Sequence, residues 1–396
     1  MADDLLSIVV PVYNVRNYVD ECLSSILSQT YRNLEIIIVL DAPTDGSDEI
    51  CRRYAERDKR VKLIVFEENK GLFRARASGF EAASGRYVGS VDADDYIDRD
   101  MYQNLMDCRA DFDLVISRWK REEENETKEA FDLLAPGPYR TKEDMDFIAE
   151  HLIDISVPGG GEHIQSGIAP FVWNKLYKTD LARKIYRGIK GNVAVSEDLV
   201  FTSQYILACS SILITEICGY HYRIRKASGS HASNIDRSTA DARDVYKNLE
   251  PVFMAHPRRE ALMPQLQRKV ARLLNRAPSK MGFCAQARNQ TIVFPFLNLL
   301  DGRRVALYGA GLIGQSYWLQ IRKFEMCEID IWVDEDWEYY RREGRNVHPV
   351  ESLLTGGWEY VVIASFHRDT AGKAKERLRA LGIEDGRVLW KDPFIF

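Results

Sequence analysis

Residues 87–98 read YVGSVDADDYID, a short apolar run followed by four carboxylates, Asp92, Asp94, Asp95 and Asp98, within seven positions. Carboxylates packed this tightly repel one another unless a cation or a ligand's hydrogen-bond donors sit among them. The run ahead of them reads as a strand, so they fall at its carboxyl end, where open α/β sheets keep their ligands. A calcium loop of the EF-hand type fails, because the sixth position of a loop starting at Asp92 is Ile97 rather than the glycine its turn requires. A solvated acidic turn is the plain alternative. A divalent cation, magnesium or manganese, bridging carboxylate and a substrate diphosphate is the better physical fit.

Around this stretch, residues 7–117 alternate between β-branched runs (SIVVPVY, LEIIIVL, VKLIVF, YVGSV, DLVIS) and helical periodicity. That rhythm predicts βαβ units and a mostly parallel, doubly wound sheet. Tyr18, Val19, Cys22, Leu23, Ile26 and Leu27 form one apolar stripe at helical spacing. Ser47 is the expected N-cap of the next helix, with Asp48 and Glu49 in its first turn. Residues 118–141 turn polar and acidic and read as a solvated loop or an insertion at the sheet's edge rather than a binding face. Residues 238–300 are rich in helix formers with arginines between apolar positions; they read as packing helices or as a basic amphipathic helix against an anionic membrane surface. A second βαβ pattern starts at RRVALYGAGLIGQSYWLQI and runs through EIDIWVDED to YVVIAS. The expected division is 1–237, 238–300 and 301–396, the last a small Rossmann-like α/β domain.

The bulk numbers exclude several classes. With 45% hydrophobic and 29% charged residues, the 396-residue chain has the composition of a globular protein, and 54 Lys+Arg against 59 Asp+Glu give no basic excess to attract nucleic acid. Seven scattered cysteines without a CxxC pair suggest neither a disulfide framework nor a zinc site. The opening MADDLLSIVV lacks the features of a signal peptide, and no run approaches the ~18 apolar residues of a membrane span. A cytoplasmic protein is expected, one that touches the inner membrane face if the amphipathic reading of 238–300 holds.

Several ordered motifs resemble those of the family 2 inverting glycosyltransferases with the GT-A fold: SIVVPVYN, IIIVLDAPTDGS, NKGLFRARASG, VDADD, WNKLY, SEDLVF and HYRIRKASGS. The resemblance covers roughly residues 6–230. It implies a nucleotide-sugar donor, UDP being the commonest nucleotide in the family, transfer of hexosyltransferase type, and a saccharide or lipid-linked acceptor in bacterial polysaccharide or glycoconjugate synthesis. It places Pro11, Tyr13, Asn14, Asp41, Asn69, Gly71, Arg76, Asp92 and Ala93 about the nucleotide sugar. Asp94 falls on the metal, Mn2+ or Mg2+, with Asp95 and His221 beside it. Asp198 matches the general base, preceded by Glu197. Trp173, Asn174 and Lys175 match an acceptor-side motif, and Arg223, Arg225 and Lys226 lie in a segment that closes near the diphosphate. Where the family usually has DDGSTDGS, this chain has LDAPTDGS: Leu40, Ala42 and Pro43 replace Asp, Gly and Ser.

The chemistry agrees with those roles. A metal can neutralise the charge growing on a leaving diphosphate, and a carboxylate on the opposite face can take the proton of the attacking hydroxyl.

VALYGAGLIGQ sets Gly309, Gly311 and Gly314 in GxGxxG spacing after a strand, with Asp334 closing the next strand where it could accept from a ribose hydroxyl. This part resembles small Rossmann-like modules attached to bacterial polysaccharide enzymes. It reads as a structural or oligomerisation module, supporting a homodimer, or as a site for NAD, a nucleotide or a nucleotide sugar. Two rivals to the transferase reading stay open: an oxidoreductase or sugar-nucleotide-modifying protein acting through these glycines, and a non-catalytic nucleotide-sugar sensor.

Overall fold

The protein was studied as a computed structural model describing residues 4–395 other than 124, 125, 131, 133, 154–166, 195, 226–234, 276–291, 343, 366, 392 and 393. The chain divides into two compact units, 1–233 with 248–266 and 234–247 with 267–396.

In the first unit the elements run β1 (Leu6–Val12), α1 (Val19–Leu27), β2 (Leu34–Leu40), α2 (Ser47–Arg57), β3 (Val61–Val65), α3 (Leu72–Ala82), β4 (Tyr87–Ser90), β5 (Tyr96–Ile97), α4 (Met101–Cys108) and β6 (Leu114–Glu123). They continue as β7 (Glu126–Ala130), β8 (Gly137–Tyr139), α5 (Lys142–Glu150), β9 (Lys175–Lys178), α6 (Thr179–Gly188), α7 (Glu197–Ala208) and β10 (Ile212–Arg223). One sheet has the order β3-β2-β1-β4-β9-β6-β10-β5, with β7 beside β6 and β8 beside β10. Strands β3, β2, β1 and β4 are parallel; β9 runs against β4 and β6, and β10 is parallel to β6.

Every residue of β1 and β2 is buried, which is why both read as apolar runs broken only by Ser7 and Glu35: helices cover both faces of a parallel sheet. Val19, Cys22, Leu23 and Ile26 of α1 pack into the core beneath them. At about 25 cal/mol per Å² of apolar surface, such stripes supply most of the driving force that orders the crossovers. Within β2, Glu35 is almost fully buried and accepts from Ser84 Oγ at 2.7 Å, Gly85 N at 3.1 Å and Lys62 Nζ at 2.6 Å, and from Ser7 Oγ.

Two local expectations are corrected. Ser47 is not the cap of α2: Gly46, at φ 87°, holds that place, and buried Ser47 Oγ accepts from Val15 N at 3.0 Å. Of the two readings of the acidic stretch after residue 118, the solvated loop is corrected and the insertion at the sheet's edge agrees, since Lys120–Glu123 of β6 pair antiparallel with Glu126–Glu129 of β7. An exposed ribbon has no buried face, so charged residues suffice for it and the apolar alternation that signals a strand is absent.

Helices α8 (Ile235–Ala255) and α9 (Arg259–Asn275) are each shared between the two units. Their stripes, Val245, Tyr246, Leu249 and Phe253, then Leu262, Leu266 and Val270, are buried, as packing helices require. No helix among the described residues is long and apolar enough to cross a membrane.

The second unit continues with β11 (Ile292–Val293), α10 (Leu297–Leu300), β12 (Arg304–Tyr308), α11 (Leu312–Phe324), β13 (Glu328–Val333), α12 (Trp337–Arg342), β14 (Tyr360–Ile363), α13 (Arg368–Ala380), β15 (Val388–Leu389) and β16 (Phe394–Ile395). Its main sheet is parallel in the order β13-β12-β14-β15.

Candidate active site

The aspartate loop leaves β4 at the carboxyl edge of the sheet and is tied back to β10. Asp92 N donates to Tyr220 Oη at 3.1 Å, and β5, which follows the loop, pairs with β10 through Ile97–Tyr220 and Tyr96–His221. Asp95 is buried and spent on this tie: Oδ2 accepts from Tyr220 Oη at 2.8 Å and Oδ1 from Arg223 N at 2.8 Å. Burial, then Asp94 and Asp92, push its carboxyl well above the ordinary range. Asp94 instead turns outward to the guanidinium of Arg225, which lies 5.2 Å over the Tyr18 ring. Arg223 bonds Glu21 at 2.8 Å and lies over Tyr18 and Tyr96. Lys226 lies outside the described residues.

The expectation that His221 ligates a metal is corrected by its contacts. Its Nδ1 lies 2.7 Å from Glu122 Oε1 and its Nε2 3.0 Å from Asp98 Oδ1, while the ring stacks on Tyr96 at 4.2 Å. Both ring nitrogens are therefore engaged away from Asp94. Asp95 is 1% exposed, and each of its oxygens already accepts a hydrogen bond from within the protein. Of the proposed ligands, Asp94 fits best: it is partly exposed, and its only charged partner among the described residues is a cation. A divalent ion held by one or two carboxylates and completed by substrate phosphates needs no larger protein cage.

On the other flank, Glu197 and Asp198 open α7. Arg76, on α3 and 1% exposed, reaches both: Nη1 contacts Glu197 Oε1 and, at 2.5 Å, Asp198 Oδ1, while Nη2 contacts Asp92 Oδ1 at 2.5 Å. Two carboxylate groups 106 residues apart in sequence thus meet on one guanidinium. Burial opposes its charge, but Asp92, Glu197 and Asp198 together outweigh that and keep it charged. Glu197 is driven well up by burial, against the pull of Arg76, with Asp198 adding to the rise. Burial also raises Asp92, Arg76 opposing it. Asp198 keeps about a quarter of its side-chain surface open, so a substrate hydroxyl can reach it.

The nucleotide-side positions surround the ends of β1 and β2. Pro11 is buried within β1, Tyr13 is 48% exposed, and Asn14, at φ 51°, accepts from Thr44 N at 2.8 Å through Oδ1. Asp41 is buried, and its oxygens accept from Lys70 N at 2.6 Å and Gly71 N at 2.9 Å. It braces the turn into α3, where Gly71 at φ 84° is the cap, and Asn69 stands exposed just before. Ala93 is buried under the loop. Ala42 stands at φ 50°, a left-handed backbone that favours glycine, which explains why the resembled motif usually has glycine there.

Trp173, Asn174 and Lys175 are corrected as acceptor contacts, because all three are at most 2% exposed. Trp173 stacks on Tyr220 at 4.2 Å and Phe171 at 4.7 Å. Asn174 Nδ2 donates to Ser117 O at 2.9 Å. Lys175 Nζ donates to Ala169 O, Phe171 O and Asn174 Oδ1 at 2.6–2.7 Å; burial lowers its pKa to about 8, Asp132 and Asp198 opposing the shift. Sequence reasoning missed Tyr220, the hydroxyl that joins the aspartate loop to β10, and no spacing signal marks it.

In the second unit Gly309, at φ 108°, and Gly314 pack so closely that a Cβ on Gly314 would meet Gly309 O at 1.8 Å. Around Gly311 the nearest atom to such a Cβ is 3.8 Å away. Asp334 is folded back on this turn, accepting from Ala310 N at 2.6 Å and Asp336 N at 2.8 Å. Each of its oxygens thus accepts one backbone amide of its own turn.

The first unit is a doubly wound α/β unit with an acidic loop at its carboxyl edge, joined through Arg76 to a second carboxylate pair, and known proteins resemble it. Residues 7–158 match the model of Glycosyl transferase family 2. The chain is 34% identical over 232 residues to Glycosyltransferase GlyA of Streptococcus pneumoniae, covering 58% of this chain and 32% of that protein. It is 32% identical over 231 residues to Putative glycosyltransferase EpsH of Bacillus subtilis, covering 58% and 63%. The matches therefore span a third to under two thirds of these relatives' lengths. The crystal structure of S. aureus TarS 1-349 in complex with UDP-GlcNAc superposes with a TM-score of 0.50 at 18% identity, covering 72% of this chain and 76% of that one, a likeness of fold. Residues 7–158 are thus similar in sequence to glycosyl transferase family 2, and the first unit shares the fold of the TarS structure.

Proposed function

We propose that the protein is an inverting glycosyltransferase that moves a sugar from a nucleoside diphosphate donor, UDP being the default, to a hydroxyl of a saccharide or lipid-linked saccharide in bacterial surface polysaccharide or glycoconjugate synthesis. The observation that carries this reading is the meeting of Asp92 and Asp198 on Arg76, which ties the donor-side loop to a carboxylate about a quarter open to solvent. Asp198 takes the acceptor proton as the hydroxyl attacks from the face opposite the leaving diphosphate. Asp94 would hold Mn2+ or Mg2+, which supplies neutralisation of the charge developing on that diphosphate. Arg225, already close enough to bind Asp94, and Arg223 add cationic groups on the same side. GlyA and EpsH carry glycosyltransferase names, and TarS was crystallised with UDP-GlcNAc, which supports the donor class.

For the second unit we propose a Rossmann-like structural module in place of a redox domain. The support is Asp334, whose oxygens are both bonded to backbone amides. The test is release of nucleotide from a panel of nucleotide sugars with manganese, with and without chelator, in wild type and Asp94→Ala. Metal-dependent release lost in the variant is expected; no release from any donor, beside NAD binding abolished by Gly311 substitution, would refute the reading. Asp198→Asn should cut transfer by about 100- to 10,000-fold while donor affinity changes little.

A further inference from the structure

The resemblance puts Arg76 beside the nucleotide, yet the guanidinium is 1% exposed and its two terminal nitrogens are occupied by Asp92, Glu197 and Asp198. Its Nε is buried too, without a partner among the described residues, so a nucleotide would have to open the surrounding packing to reach any of its N–H groups. The frame around it is rigid as well. Gly79, one turn on along α3, lies so near β1 that a Cβ there would come 2.2 Å from Val9. Phe80 of α3 packs edge-on to Phe201 of α7 at 5.6 Å, and Tyr186 of α6 stacks on Phe201 at 4.0 Å. The helix that carries Arg76 is thereby wedged between the sheet and the helix that carries Asp198. A planar fork is needed for this task, because two nitrogens held apart at a fixed angle can serve separate carboxylates, whereas an ammonium is a single point charge.

We infer that Arg76 is a positioning residue: it fixes Asp198 for proton removal and fastens the aspartate loop to the same frame, so that the donor side and the base keep one geometry. This rests on the glycosyltransferase reading. Near-attack geometry tolerates little displacement, so loosening the base by an ångström is expected to cost about 100-fold in rate.

The test uses Arg76→Lys and Arg76→Ala in the full chain, with the dissociation constants of UDP and GDP in manganese measured beside kcat for the donor that wild type accepts. Expected is a fall in kcat of about 100-fold or more with nucleotide affinity within about 3-fold of wild type, and partial recovery of Arg76→Ala by added guanidinium. A nucleotide affinity that falls by the same factor as kcat/KM, with kcat unchanged, overturns the inference and makes Arg76 a nucleotide contact. If Arg76→Ala does not fold, Arg76→Lys retains the buried charge and decides by the same split. A second arm needs no turnover: in Asp198→Asn one of the three ties is weakened, and amide exchange in the aspartate loop should quicken. Unchanged exchange there breaks the proposed link. Should wild type transfer no sugar at all, the parent reading fails while the exchange arm still judges the linkage.

Discussion

Replacing Asp41 with alanine separates two roles that the sequence leaves superimposed. The resemblance places this carboxylate about the nucleotide sugar, but it is buried and holds the amides of Lys70 and Gly71 at 2.6 and 2.9 Å. Hydrogen bonds to a charged group are worth about 1.5–3 kcal/mol each, and the orphaned amides would regain part of that from water entering the turn. Asp41→Ala should therefore destabilise the first unit by about 3 kcal/mol, against about 1.5 for Asp41→Asn, which keeps one acceptor. In a unit of this size each kcal/mol lowers Tm by about 2–4 °C, so Asp41→Ala should melt roughly 6–12 °C early. Calorimetry reads that shift, and titration with UDP and GDP reads affinity in the same samples. A Tm unchanged within about 1 °C, together with lost nucleotide affinity, would refute the reasoning and show that the carboxylate is free to meet a base.

Other substitutions test the rest of the frame. Trp173→Ala should cost about 3–5 kcal/mol in chemical denaturation, as a buried aromatic stack does, whereas an acceptor contact would raise the acceptor KM at unchanged stability. Gly314→Ala must displace the Gly309 carbonyl and should destabilise the second unit by about 1–3 kcal/mol, while Gly311→Ala, with open space, should be nearly neutral; equal effects in thermal melts would contradict the packing. Glu35 resists protonation: burial raises its pKa, but Lys62, Ser7 and Ser84 together bring it from 4.5 down to about 2. A folded pKa below the unfolded one means the stabilisation is complete above pH 4.5 and drains away as pH falls toward 2. About 3 kcal/mol is at stake, and denaturation of Glu35→Gln should lack that acid limb; an identical pH slope in the variant would remove Glu35 from the account.

The strands and first crossovers were legible because their signals are local. An apolar run such as LSIVVPV is buried on both faces, and Val19, Cys22, Leu23 and Ile26 recur at the helical period, so neighbours in sequence suffice to report the environment. The exposed ribbon of β6 and β7 was not legible, since a strand with no buried face has no pattern to impose.

The candidate site shows the same division. The order of the motifs determined which carboxylates stand at the ends of strands and helices, because the end of an apolar run marks the carboxyl edge of a parallel sheet. Whether each of those side chains is open to a ligand was decided only by tertiary structure. Asp95, His221, Asp41 and Asp334 have the residue types of a binding site, yet each is committed to partners that folding brings from elsewhere in the chain. Trp173, Asn174 and Lys175 disappear into the core for the same reason. Arg76 gained its three carboxylates from segments 16, 121 and 122 residues away. Residue type and spacing set charge, period and strand ends; desolvation and pairing depend on what the fold packs against each group, and that is a property of contacts distant in sequence.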